Sequence, residues 1–149
     1  MKKVLIDSSV YLSFFLENDP NSACSVQFMT VLHQQGYRII LFRLVFFEVA
    51  NILLKQFRKP YSDIFSDYLS PMRIASGEEM VELTSDFETY FSQVAEGPVQ
   101  IGLKTSDMLI FLASYMHDAA LISWDKNLLR EAKKLCGALT PRDFLQEKC

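Results

Sequence analysis

Cysteine is scarce in this chain and poorly placed for structural work. The 149 residues include three, Cys24, Cys136 and Cys149. They are far apart and odd in number, with no Cys-x-x-Cys pair and no Cys/His spacing of a zinc site. A disulfide scaffold is therefore not expected, and free thiols in a reducing cytosol are. Positive charge is not in excess either. Fifteen Lys and Arg against 18 Asp and Glu give a formal net charge of -3, with a pI near 5.4. A protein that coats nucleic acid non-specifically is usually basic. Any such role must rest here on a local basic patch or on bound metal ions. Uninterrupted apolar runs are missing too. Lys2 and Lys3 precede an apolar start, but Asp7, Ser8 and Ser9 break it, which reads as a strand and helix rather than a signal peptide. "IILFRLVFFEVANILL" contains Arg43 and Glu48 and is short for a membrane span. The expectation is a soluble, cytoplasmic protein without a membrane partner. There are no internal repeats, low-complexity tracts or obvious linkers, so residues 1–149 read as one domain.

What the chain does have is apolar mass. Half of it is hydrophobic and 13% is aromatic, enough to build a full core and too much for a disordered chain. "KVLID", "YRIILF", "EMVEL" and "AALIS" read as short strands, and "ALT" as a fifth before the tail "PRDFLQEKC". Helical patterns lie between them: "SVYLSFFL", "ACSVQFMTVLHQQ" ending at Gly36, "LVFFEVANILLKQF", "YSDIFSDYLSPMRIA", "SDFETYFSQVAE" ending at Gly97-Pro98, "SDMLIFLASYMH" and "KNLLREAKKL". Strands alternating with helices predict an α/β fold, a parallel sheet covered on both faces. In such sheets, ligands bind beyond the carboxyl ends of the strands.

Acids collect at that edge. Asp7 ends the first strand and Asp125 follows the fourth. Asp107 opens the helix that leads into the fourth strand, and Glu48 lies within the helix after the second. Three of them have a plain structural reading. Asp7 and Asp125 stand where helix caps stand, and Asp107 is in a first turn, where the helix dipole favours anions. Glu48 is harder to explain. Its helical neighbours Leu44, Val45, Asn51 and Ile52 include no cation, although Asn51 could donate a hydrogen bond. The plain reading for Glu48 is an exposed place on a polar stripe with Asn51 and Lys55. If the four acids converge, their charges repel and raise one another's pKa, and a divalent cation removes that penalty. Oxygen ligands without His or Cys suit Mg²⁺ or Mn²⁺. A cation so held acidifies water and stabilises charge on phosphate oxygens, which is the chemistry of phosphodiester hydrolysis.

"VLIDSSVYL", "FFEVANIL", "LKTSDMLIFLASYMHDAALISWDKNL" and "TPRDFL", taken in order, resemble the PIN-domain family, in particular the compact VapC-type toxins. The resemblance covers nearly the whole chain and is weakest over residues 60 to 98. It implies a three-layer α/β/α sandwich with a mostly parallel sheet, and Mg²⁺- or Mn²⁺-dependent cleavage of RNA. It also implies a homodimer and a small antitoxin partner. By resemblance, Asp7, Glu48, Asp107 and Asp125 are the four catalytic, metal-binding acids, with Ser9 and Ser123 supporting them. One departure is Ser123-Trp124 before Asp125, where many relatives carry a threonine and a small or basic residue.

Arg43, Lys104, Lys126 and Arg130 lie near the acids in sequence and could grip phosphates. Asn51 is a candidate support for Glu48. Trp124 could stack on a base, but a lone Trp at a strand end is more often core. Two other function classes compete with the metal-dependent ribonuclease. A non-catalytic protein- or RNA-binding module on the same fold would keep its function in excess chelator. A receiver-type phosphotransfer domain would need an Asp ending the third strand, where "EMVELTSD" offers only Asp86.

Overall fold

The computed structural model describes residues 2–148. Five strands form one sheet: β1 (Lys3–Ile6), β2 (Arg38–Phe42), β3 (Met80–Val81), β4 (Ala120–Ile122) and β5 (Ala138–Leu139), in the order β3-β2-β1-β4-β5. Every pairing is parallel, with Leu5 opposite Ile40 on one side and Leu121 on the other. Val4, Leu5 and Ile6 are fully buried. Strands covered on both faces are apolar throughout rather than alternating, which is why "KVLI" and "RIILF" read as runs.

The helices are α1 (Ser8–Phe15), α2 (Ser22–Gln34), α3 (Arg43–Phe57), α4 (Tyr61–Ile64), α5 (Ser70–Ala75), α6 (Asp86–Glu96), α7 (Thr105–Met116), α8 (Lys126–Ala132) and α9 (Pro141–Lys148). From β1 the chain steps outward to β2 and β3, then reverses to β4 and β5 on the other side of β1. Right-handed crossovers therefore put the helices before and after this reversal on opposite faces. The crossover helices agree: α1 lies against α2 and α3, while α7 lies against α6 and α8; the tail helix α9, which is no crossover, returns to lie against α2. The result is the expected α/β/α sandwich. The reversal point falls between β1 and β4, and in folds of this kind ligands bind there, beyond the carboxyl ends of the strands.

Two segments differ from their sequence reading. The helical stretch 61–75 is broken by a wide, π-type turn over Phe65–Leu69. It immediately precedes α5, whose first turn contains Pro71. Proline has no N–H to give the turn before it, so the ladder widens there. The tail after β5, given no element in the sequence reading, is a helix. Pro141 occupies its first position, and Thr140 and Asp143 cap it reciprocally, Asp143 N–H donating to Thr140 Oγ1 at 3.0 Å. Cys24 and Cys136 are free thiols, as expected, and Cys149 lies outside the described residues. Among the described residues no helix is long and apolar enough to cross a membrane.

Candidate functional site

β1 and β4 deliver Asp7 and Asp125 to the two sides of the reversal point. The strands are in register through Ile6 and Ile122, and Asp7 N–H donates to the Ile122 carbonyl at 2.9 Å. Asp7 is only 5% exposed, and its side chain makes no capping bond to α1. The capping explanation for Asp7 therefore fails. Its Oδ2 instead accepts from two hydroxyls, Ser9 at 2.8 Å and Ser123 at 2.7 Å. Each hydroxyl is oriented in turn by a backbone N–H: Trp124 donates to Ser9 Oγ at 3.0 Å and Asp125 to Ser123 Oγ at 2.9 Å. One carboxylate oxygen thus ties the β1–α1 junction to the β4–α8 turn. Ser9 and Ser123, singled out in the sequence, are thus the two hydroxyls that touch Asp7.

Asp125 does cap a helix. Its Oδ1 accepts from Asn127 N at 2.9 Å and Leu128 N at 3.1 Å at the start of α8. That fixes the side chain through one oxygen and leaves its other oxygen outside the cap.

Glu48 does not sit on the polar stripe. Phe47, Asn51, Ile52, Lys55 and Gln56 are the exposed positions of α3, whereas Glu48, near its middle, is half-buried and reaches α1. Ser8 Oγ donates to its Oε2 at 2.9 Å. Its Oε1 is buried with no hydrogen-bond partner. A buried carboxylate oxygen left bare is costly, and a bound ion or water is one way to satisfy it. Burial raises the Glu48 pKa above the ordinary value. The Ser8 bond opposes this, the charges of Asp7 and Asp107 add to it, and Lys104 opposes it. Burial likewise raises Asp107, with Lys104 opposing and Asp125 and Asp7 adding. Glu48 therefore feels the charges of Asp7 and Asp107, and Asp107 those of Asp125 and Asp7. Lys104 stands 3.9 Å from Asp107 and is well exposed.

The donor set is oxygen only and includes one orphaned oxygen, which fits a hard divalent cation in kind. Among the described residues, however, no three Asp, Glu, His or Cys side chains already stand together as a metal-holding group. Direct ligation by all four acids is thus not built in, and water-bridged contact or closer approach would be needed.

Two residues have partners other than those their sequence positions suggest. Arg43 is paired at the surface: its Nε donates to both Glu82 oxygens, at 3.1 and 3.0 Å. Arg38 pairs with Glu79 at the other end of β3, so the two ion pairs bracket this two-residue edge strand. Asn51 is exposed on the stripe just described, and no hydrogen bond joins it to Glu48 among the described residues. Lys126 is exposed at the first position of α8, beside Asp125.

Sequence reasoning missed the buried polar contacts around the site. Ser8 reads from the sequence as a residue that starts the helix and supports the site near Asp7, with no sign that its partner is Glu48. Trp124 looked like core, yet its indole N–H lies 3.1 Å from Ser13 Oγ and 3.0 Å from Ser25 Oγ. Glu131, within "KNLLREAKKL", drew no reading from the sequence and is 8% exposed. It accepts from Gly102 N at 3.2 Å, which pins the approach to α7 onto α8. Serines and a glutamate carry no spacing signal for contacts this long in sequence.

No curated protein matches the chain by sequence. Solved structures match in fold. The structure of FitAB bound to an IR36 DNA fragment covers 93% of this chain and 94% of its own at 12% identity, with a TM-score of 0.70. VapBC2 from Rickettsia felis, bound to a DNA fragment from their promoter, covers 93% and 98% at 12% identity, with a TM-score of 0.65. PAE2754 from Pyrobaculum aerophilum covers 98% and 88% at 17% identity, with a TM-score of 0.63. At these identities the likeness is one of fold. The sequence model of the PIN domain, in contrast, matches residues 4–135, most of the chain including all four acids. The chain belongs to the PIN domain family.

Proposed function

We propose that this protein is a Mg²⁺- or Mn²⁺-dependent endoribonuclease and that Asp7, Glu48, Asp107 and Asp125 are its catalytic, metal-holding acids. The observation that carries the reading is Glu48 Oε1, a buried carboxylate oxygen with no partner, facing the charges of Asp7 and Asp107 at the reversal point of the sheet. A divalent cation bound among these acids supplies positive charge against the phosphate oxygens and makes water more acidic.

The chain's own residues do the rest. Ser9 and Ser123 fix Asp7, and the α8 cap fixes Asp125, so two carboxylates flank the reacting phosphate without having to reorganise. Water oxygen forms the new bond to phosphorus in line with the bond from phosphorus to O3′, which breaks. O3′ takes up a proton, leaving a 5′-phosphate and a 3′-hydroxyl. Lys104 and Lys126 are exposed beside Asp107 and Asp125 and can hold neighbouring phosphates. Residues 1–149 act as one domain in this reading. A small antitoxin, a homodimeric state and a cytoplasmic location belong to the same proposal and rest on the resemblance to VapC-type toxins.

A non-catalytic binding module has one observation on its side, the lack of a preformed three-ligand group among the described residues. The phosphotransfer reading has none, since Asp86 heads α6, beyond the end of β3, and is exposed. The test is cleavage of single-stranded RNA in Mn²⁺, in Mg²⁺ and in excess chelator, by wild type and Asp107→Asn. Cleavage that needs the cation and is lost in Asp107→Asn, with the fold retained by circular dichroism, supports the nuclease. Binding of RNA that persists in chelator without cleavage supports the module.

A further inference from the structure

Trp124 stands next to Asp125 and is the chain's only tryptophan. Three serines on two helices grip it. Ser9 and Ser13, one turn apart on α1, accept from its backbone N–H at 3.0 Å and from its indole N–H at 3.1 Å. Ser25 on α2 accepts from the same indole N–H at 3.0 Å. Ser13 and Ser25 are 1% and 0% exposed, and their hydroxyl oxygens are 2.6 Å apart.

The protons can be assigned. Indole nitrogen only donates. Ser13 donates to the Val10 carbonyl at 2.9 Å. The Ser25 proton must then fill the short contact to Ser13, because Ser13 has already spent its own. The chain of donors runs one way, from Trp124 through Ser25 and Ser13 to the backbone of α1, and every polar atom in it is used. Ser25 has only the indole and Ser13 as partners, while Ser13 is also tied to the backbone of its own helix. Such a network holds one arrangement and no other.

That arrangement fixes the β4–α8 turn. Trp124 is anchored at two points, its backbone and the far edge of its side chain, and Asp125 follows it directly. The Ser9 oxygen that receives the Trp124 backbone N–H is the one that donates to Asp7. The indole thus bears on the positions of two acids that face each other across the reversal point.

We infer that Trp124, with Ser13 and Ser25, is a positioning device that sets the distance between Asp125 and Asp7 and so the affinity of the site for its cation. This rests on the metal-site reading above. Residues that orient metal ligands through hydrogen bonds typically change metal affinity by about 10–100-fold when altered.

The test compares wild type, Trp124→Phe and the double variant Ser13→Ala/Ser25→Ala. Phenylalanine keeps an aromatic ring and removes the donor. The double variant keeps the indole and removes its acceptors, and it serves if Trp124→Phe fails to fold. Two quantities are measured on each: the Mn²⁺ dissociation constant by titration calorimetry, and the melting temperature in chelator. The expected result is Mn²⁺ affinity weakened by about tenfold or more in both variants, with metal-free proteins that still melt cooperatively. A lower metal-free melting temperature with unchanged Mn²⁺ affinity would make the cluster a structural clamp only and overturn the inference. Wild type that binds no Mn²⁺ at all would instead remove the metal-site reading, and this inference with it.

Discussion

Ser8 Oγ donates to Glu48 Oε2 at 2.9 Å, joining the first residue of α1 to the middle of α3 across forty positions of sequence. The same hydroxyl lies 3.5 Å from Asp7 Oδ1, too far to share its proton well. Glu48 therefore has one good donor, and its second oxygen has none. Ser8→Ala should leave both oxygens of a half-buried carboxylate unpaired. Hydrogen bonds to charged groups contribute roughly 1.5–3 kcal/mol. The variant should lose stability in that range at neutral pH, read as a lower urea midpoint at unchanged slope. An unchanged midpoint would mean that Glu48 turns to water when released.

The metal-free acids should also repel one another. Burial raises the Asp107 pKa above its ordinary 3.8, and the charges of Asp125 and Asp7 add to this. A carboxyl whose folded pKa is raised binds more protons folded than unfolded, so stability falls as pH rises from the unfolded value through the folded one. In chelator, Asp107→Asn should therefore melt no lower than wild type at pH 7, and any gain should vanish below about pH 3.8, where wild type is neutral in both states. Melting curves across that range check it. A neutral-pH loss in Asp107→Asn would show that its pairing with Lys104 outweighs the repulsion.

Cation binding should reverse that order of stability. Mn²⁺ at about 100 times its dissociation constant should add roughly 2.7 kcal/mol to wild type. For a chain of this size, that is a rise of about 5–11 °C at roughly 2–4 °C per kcal/mol. Asp107→Asn should lose most of the rise. Equal rises in the two proteins would show that Mn²⁺ binds elsewhere.

Much of this was legible in the sequence, and what was not shares one cause. The strands "KVLI", "RIILF" and "ALI" are apolar because both sheet faces are covered, and the acids at their ends stood out against that background. Local chemistry also foretold the Asp125 cap. Contacts between distant segments were not legible. Arg43 looked free because Glu82 is far along the chain, on the edge strand. Asn51 looked like a partner for Glu48 because three residues separate them, whereas Ser8, forty positions away, is the partner. Helix periodicity places a residue on a face but does not say what the fold brings to that face.

The two lysines and Arg43 should therefore part company. Arg43 is held by Glu82, while Lys104 and Lys126 are exposed beside the acids. Arg43→Ala should leave the affinity for a short single-stranded RNA within about twofold, since a cation already paired has little to give a phosphate. Lys104→Ala/Lys126→Ala should weaken it and reduce the dependence of affinity on salt, each lost phosphate contact lowering the slope by about 0.7 for a single strand. Filter binding at three salt concentrations, in chelator to prevent cleavage, checks this. A large loss in Arg43→Ala alone would move the RNA path to the β3 edge.

Glu131 should behave in the opposite sense to Asp107. Its carboxylate accepts from Lys134 and from the Gly102 backbone N–H, and these bonds hold its pKa below the ordinary 4.5. A carboxyl whose folded pKa is depressed stabilises the fold at pH values above its unfolded pKa, and that stability is lost as pH falls through the folded one. Glu131→Gln should then melt below wild type at pH 7, and the gap should close under acid, below about pH 4.5. The bond from Gly102 also anchors the segment that leads through Lys104 into the first turn of α7, where Asp107 lies. Glutamine can still accept it, so Glu131→Ala is the variant that removes it: amide exchange at Gly102 should accelerate there while β1 and β4 keep their protection, because the sheet does not depend on this contact. Exchange at Gly102 as slow as in wild type would show that Lys134, which also donates to the Gln100 carbonyl at 3.0 Å, holds the segment by itself.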